Sequence, residues 1–185
     1  MKRLYYILLA ITPLFSFGQQ YVLTPNGLAD SMDITKDYLV ITEEDKTADE
    51  LYEICRKNLY TISQNTNIKV IGEIANEYIR YSMEVPTIAV IKKLGVGLIA
   101  EAYFDVEIRF KDGRIRHQVT NLRMPFRGDD MNQLSLTGSK WGGWAVFDKK
   151  GNVSLKDQKL QIENYFNQSV ADLLKLTEND NNDDW

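Results

Sequence analysis

LIAEAYFDVEIRFKDGRIRHQVTNL, from Leu98 to Leu122, decides how the rest of the chain is read. Every second residue of its first half is apolar: Leu98, Ala100, Ala102, Phe104, Val106, Ile108, Phe110. Glu101, Tyr103, Asp105, Glu107 and Arg109 stand between them, so one face is dry and the other wet, over a run well beyond the usual strand of about five or six residues. At Lys111-Asp112-Gly113-Arg114 the alternation stops. Asp-Gly tolerates the positive backbone angles of a type I′ turn, so Ile115 to Leu122 is expected to fold back as a second strand. A two-residue loop then fixes the register: Lys111 opposite Arg114, Phe110 opposite Ile115, Ile108 opposite His117, Val106 opposite Val119 and Phe104 opposite Asn121.

Working outward, Thr47-Ala48-Asp49-Glu50 has the form of a capping box and predicts a helix start. Leu51, Ile54, Cys55, Asn58, Leu59 and Ile62 fall on one face of that helix, which should stop near Ser63 to Thr66. Before it, Tyr38-Leu39-Val40-Ile41 reads as a short strand buried on both sides. After it, Ile68 to Ile74 and Ile79 to Val85 alternate around a turn at Asn76-Glu77 and predict two antiparallel strands. A strand or short extension is expected after Pro86, then a glycine-containing loop into the central hairpin. Beyond Leu122 the period fails, and residues 124–150 read as a long irregular insertion carrying Trp141 and Trp144, closed by a small hairpin between Ala145 and Leu155. Ser154 should cap a last helix with Leu160, Ile162, Tyr165, Phe166, Ser169, Val170, Leu173 and Leu174 on its apolar face.

The two ends read differently. Lys2 and Arg3 precede an apolar run, Leu4 to Phe17, too short to span a bilayer, and Ser16-Phe17-Gly18 offers small residues for cleavage. Residues 1–18 are therefore expected to be a signal peptide, with the protein exported to the periplasm or cell exterior and the mature chain not stably inserted in a membrane. Residues 19–36 form an N-terminal leader, 37–176 the folded domain and 177–185 a disordered acidic tail. The formal charge of −4 becomes −6 when Lys2 and Arg3 are lost, which works against nucleic acid as a partner.

The expected fold is α+β and two-layered: a single antiparallel sheet with two helices on one face, in strand-helix-four-strand-helix order. An exported N-terminus, a strand and capped helix, paired strands, the long alternating strand into Lys111-Asp112-Gly113-Arg114-Ile115-Arg116, Asn121 near the end of the return strand and a closing helix together resemble an exported bacterial domain-of-unknown-function family assigned a TATA-binding-protein-like fold. The resemblance implies that topology for Tyr38 to Leu122 plus the final helix, and it implies no catalytic residues.

The chemistry-bearing residues are few. Cys55 and His117 are the only cysteine and histidine, too few to hold zinc. His117 points to the same side as Ile108 and Val119, so a hydrogen-bonded histidine at the core margin is expected, and Cys55 is read as a small buried apolar residue. Gly95-Val96-Gly97 lacks the third glycine and following helix of a phosphate cradle, and no serine sits in a nucleophile elbow. Asp129-Asp130 beside Asn132 could hold calcium, but the spaced ligands of a calcium loop are missing. No cofactor is implied. The expected function is a non-catalytic binding or interaction module for a peptide, glycan or protein of the envelope, using Tyr103, Arg109 and Arg116 on the open sheet face together with Trp141 and Trp144. The alternative is an envelope hydrolase with a carboxylate pair such as Asp105 and Glu107.

Overall fold

The computed structural model describes residues 19–93, 96–138 and 144–175. The expected signal peptide, the acidic tail and Trp141 lie outside the described residues. In chain order the elements are β1 (Tyr21–Thr24), β2 (Gly27–Asp30), β3 (Tyr38–Thr42), α1 (Ala48–Ser63), β4 (Asn67–Ile74), β5 (Tyr78–Lys93), β6 (Val96–Lys111), β7 (Arg114–Arg123), β8 (Pro125–Phe126), β9 (Asp129–Thr137), β10 (Trp144–Phe147) and α2 (Lys156–Lys175). The fold is α+β, with a mostly antiparallel sheet and two helices.

The central hairpin forms as its alternation demands. β6 and β7 pair with Lys111 opposite Arg114, Phe110 opposite Ile115, Ile108 opposite His117 and Val106 opposite Val119. Two details differ. Only Gly113 of the Asp-Gly pair takes a positive φ, +74°, so the corner is not the type I′ turn expected. The reason is tertiary: Asp112 Oδ1 accepts from the Ala48 N–H at 2.9 Å, and Gly113 exchanges backbone bonds with Glu43 and Lys46. The corner is shaped by docking onto the start of α1. Farther along, the register slips between Tyr103 and Asp105, so Phe104 does not face Asn121 as expected. Asn121 sits there at φ +56°, a left-handed conformation that asparagine tolerates, and the bulge turns its side chain onto the outer face.

Around this hairpin the sheet is larger than expected. It has eight strands, running β3-β7-β6-β5-β4 across the hairpin end. At the other end β8 replaces β7 beside β6, and β9 and β10 extend the sheet. The presumed irregular insertion is therefore largely strand, and β10 joins β9 in parallel. Arg127 fixes it in place: its guanidinium meets Glu101 at 3.0 Å and donates to the Pro86 carbonyl and to Thr87 Oγ1. The strand expected after Pro86 is the continuation of β5, which passes a bulge between Val85 and Ala89 and pairs with β6 as far as Lys93 and Val96, so the glycine-containing connection is shorter than expected. Of the small closing hairpin, an antiparallel bridge from Phe147 to Val153 remains.

Both helices cover one face. The capping box at Thr47 and Glu50 is complete, and Leu51, Tyr52, Cys55, Asn58 and Leu59 of α1 are buried. Burial pushes the Cys55 thiol up to about 12, as suits a small apolar residue. On α2, Ile162, Phe166, Val170 and Leu173 face inward, whereas Leu160, expected on that face, is 56% exposed. Phe166 stands edge-on to Phe104 at 5.0 Å and to Tyr165 at 5.5 Å. Asn58 donates to the Leu173 carbonyl and so ties α1 to the last turns of α2. β3 is not buried on both sides: Leu39 is inside, and Val40 and Ile41 are half-buried, because the other face of the sheet is open.

The leader is part of the fold. β1 and β2 make a hairpin laid along α2, where Asn167 bonds both the Tyr21 N–H (2.7 Å) and the Tyr21 carbonyl (3.0 Å), and Glu163 accepts from the Leu23 N–H at 2.7 Å. Helix side chains thus satisfy a strand edge that would otherwise be bare. The Tyr21 ring enters the core beside Phe166, and its hydroxyl donates to the His117 carbonyl at 2.7 Å. That proton being spent, His117 Nδ1, 3.0 Å away, must be the donor to the Tyr21 oxygen, which assigns the neutral Nδ1–H tautomer.

Three outcomes follow. Phe166→Ala removes the ring on which Phe104, Tyr165 and Tyr21 converge and should cost about 3–5 kcal/mol by chemical denaturation. Tyr21→Phe should cost about 1–3 kcal/mol by orphaning the groups on His117. Burial lowers the His117 pKa to about 4, against about 6.5 when unfolded. Its contribution is therefore complete above pH 6.5 and is lost as pH falls toward 4, by about 3 kcal/mol in all, a slope that a folded His117→Gln variant should lack.

Candidate functional site

The outer face is where side chains gather with no described element over them. Strand alternation puts Tyr38, Val40, Asp105, Glu107, Arg109, Lys111, Arg114, Arg116 and Gln118 there, and cross-strand register sets their rows. Nearest the corner Lys111 lies opposite Arg114, and in the next row Arg109 lies opposite Arg116, which in turn faces Val40 of β3. Together with Tyr38 these residues line a shallow concavity of about 350 Å³. The Arg116 guanidinium lies 4.1 Å over the Tyr38 ring, and Arg109 lies 5.5 Å from the Tyr78 ring. Each arginine is thereby held by a π face, an attraction of about 0.5–1 kcal/mol where exposed.

The middle of the face is neutralised. Asp105, with its side chain 16% exposed, accepts from Ser82 Oγ at 2.6 Å, Arg80 Nη2 at 2.8 Å and Asn121 Nδ2 at 2.8 Å. Partial burial alone would raise its pKa, but the hydrogen bonds from Ser82, Asn121 and Arg80 outweigh it and hold the carboxyl below its usual range. Asp105 is thus held as an anion, the opposite of what the general acid of a hydrolase pair needs. A second concavity, of about 650 Å³, opens beside it over Lys69, Glu84, Tyr103, Asn121 and Arg123. There the Tyr103 hydroxyl is within hydrogen-bond distance of Glu84 (3.1 Å) and Glu101 (3.2 Å). Charge on the face therefore runs from basic at the hairpin corner to mixed near Tyr103, where Glu84 and Glu101 stand with Lys69, Arg123 and Arg127.

Of the residues singled out by sequence, Arg109 and Arg116 come together, and Tyr103 shares their face at the end of mixed charge. Trp144 does not join them. It is half-buried on β10, where it lines a depression of about 690 Å³ with Val90, Leu155, Gln158 and Gln161 against the first turns of α2. Sequence reasoning missed Tyr38, Lys111 and Arg114 as companions of the two arginines. The hairpin register already placed Lys111 and Arg114, but only the pairing of β3 with β7 brings in Tyr38.

The chain's fold has a solved counterpart. It is similar to that of a DUF4468 family protein from Bacteroides ovatus ATCC 8483, with a TM-score of 0.54 at 8% identity, over 74% of this chain and 81% of that one. At that identity the likeness is one of fold alone. Neither a family model nor a curated protein sequence matches the chain.

Elsewhere, a groove of about 670 Å³ runs between α1 and β4 over Ile54, Tyr60, Ile68 and Val70. The register shift between Val70 and Gly72 bends that edge, which discourages pairing with another strand. Asp129 accepts from the Met131 and Asn132 N–H groups at 3.1 Å and from Asn132 Nδ2 at 2.8 Å, so its carboxylate braces its own turn. Among the described residues no three His, Cys, Asp or Glu side chains gather as a metal site.

Asp105→Ala removes the acceptor shared by Ser82, Arg80 and Asn121. It should destabilise the protein by about 1–2 kcal/mol in urea titrations at pH 7, with the difference shrinking as pH falls below about 4 and through the lowered folded-state pKa, where the wild-type carboxyl takes up its proton.

Proposed function

We propose that this protein is an exported, non-catalytic binding module of the bacterial cell envelope, and that the outer face of its sheet receives a peptide, glycan or protein partner. One observation carries the reading. No described element covers that face, yet its side chains are anchored by specific partners, Arg116 on Tyr38 and Asp105 by three donors, so that two concavities are held ready. Preorganised polar groups on a rigid sheet lower the entropy lost on binding. Trp144 belongs to a different surface, and the outer-face reading does not need it.

Export belongs to the same proposal. It rests on Lys2-Arg3, the apolar run to Phe17 and the small residues at Ser16 and Gly18. Cleavage after Gly18 would leave the hairpin contacts whole, since Gln19 Oε1 accepts from the Val40 N–H at 2.8 Å and the Gln20 carbonyl from the Ser31 N–H at 2.8 Å. Among the described residues no helix is long and apolar enough to cross a membrane. The TATA-binding-protein-like assignment is also part of this reading, supported by an antiparallel sheet with both helices on one face and the other face bare. Nucleic acid is set aside as the partner because 26 acidic residues outnumber 22 basic ones.

A photo-crosslinking residue at Tyr38, Tyr103 or Arg123, compared with one at Leu160 on α2, tests the reading in cells expressing the full chain. Adducts should form at the outer-face positions, and the recovered protein should lack residues 1–18 by intact mass. Adducts confined to Leu160, or an unprocessed chain, would overturn it.

A further inference from the structure

The corner of the outer face carries a charge arrangement that folding alone does not favour. Two like-charged pairs stand in consecutive rows, Arg109 opposite Arg116 and Lys111 opposite Arg114, each destabilising by the rule for directly opposed like charges. In a chain with an acidic excess, carboxylates to neutralise them are available, but the nearby ones are committed elsewhere. Asp112 accepts from the Ala48 N–H and Asp37 accepts from Gln118. Glu107 approaches only Arg109, at 3.7 Å. Among the described residues no carboxylate lies within ion-pair distance of Lys111, Arg114 or Arg116. Arg116 Nη2 donates to the neutral Gln118 Oε1 at 2.8 Å, and its Nε is buried with no acceptor at all. A buried donor left without a partner is costly, and here it belongs to an arginine that lines the cation-rich concavity.

We propose that this concavity binds a small multivalent oxyanion, a ligand presenting two or more carboxylate or phosphate groups, with Arg109 and Arg116 gripping one group and Lys111 and Arg114 the other. This deepens the outer-face reading and rests on it. Guanidinium forks match the paired oxygens of either group, and residues two apart on a strand are spaced by about 7 Å, which sets the separation of the two anionic ends. The concavity of about 350 Å³ is of a size for a small molecule, and the Tyr38 ring offers its carbon body an apolar wall.

Calorimetric titration of the purified full chain, signal processed, with tripolyphosphate, citrate and sulfate at one ionic strength reads the proposal directly. Tripolyphosphate and citrate should each bind about tenfold or more tightly than sulfate. Arg109→Gln and Arg116→Gln should each weaken them about tenfold, and Arg116→Lys, which keeps charge without the fork, should fall between. Without ligand the thermal midpoint of Arg109→Gln should be unchanged or higher, because a like-charge pair is relieved, whereas a purely structural arginine would give a lower one. A poly-glutamate arm separates a free small anion from acidic groups on a polymer. Binding of poly-glutamate alone, equal binding of sulfate, or undiminished binding by the glutamine variants would overturn the proposal. Outer-face crosslinking that persists with no response to the anions would remove this inference and leave the binding-module reading intact, while loss of both would remove both.

Discussion

The packing of Phe104 against Phe166 is the contact on which the rest of the structure depends. It joins the middle of the longest alternating strand to the middle of the last helix, and Tyr165 and Tyr21 assemble around it. Because β6 alternates strictly, seating Phe104 under α2 also seats Ala102, Val106, Ile108 and Phe110 inside and turns Tyr103, Asp105, Glu107 and Arg109 outward. The sidedness of the sheet, and with it the existence of an open polar face, is one consequence of that single inward choice.

The N-terminal hairpin shows the same core reaching further. Tyr21 is a long side chain carried on a short ribbon, and it fills the space between Phe166 and His117 while its hydroxyl satisfies polar groups that β7 would otherwise bury alone. Asn167 and Glu163, one helical turn apart on α2, complete the attachment through the backbone of β1. A histidine near the sheet centre is thereby kept neutral and structural, and its chemistry is used for stability.

On the outer face, the work of folding and the capacity to bind are spatially separated. Arg80, Ser82 and Asn121 hold Asp105 in the middle of the sheet, whereas at the hairpin corner Arg109 and Arg116 are steadied by tyrosine rings and, among the described residues, only Arg109 approaches a carboxylate. An aromatic ring positions a guanidinium without consuming its hydrogen-bonding edge. The corner consequently keeps unspent donors, and the Tyr103 end keeps two carboxylates around one hydroxyl.

What the sequence by itself determined was local: the alternation of β6, the reversal at Asp112-Gly113, the capping box at Thr47 and the inward faces of both helices, because periods of two and 3.6 residues are written in neighbouring side chains. Arg109 and Arg116 as cross-strand neighbours were legible for the same reason. The docking of the leader through Tyr21, the β8 to β10 extension held by Arg127, the register slip at Asn121 and the meeting of Tyr38 with Arg116 were decided only by tertiary structure. Each joins residues far apart in the chain through contacts that carry no periodic signature. The turn at Gly113 belongs with them, since its backbone angles answer to α1 and not to the two residues that form it.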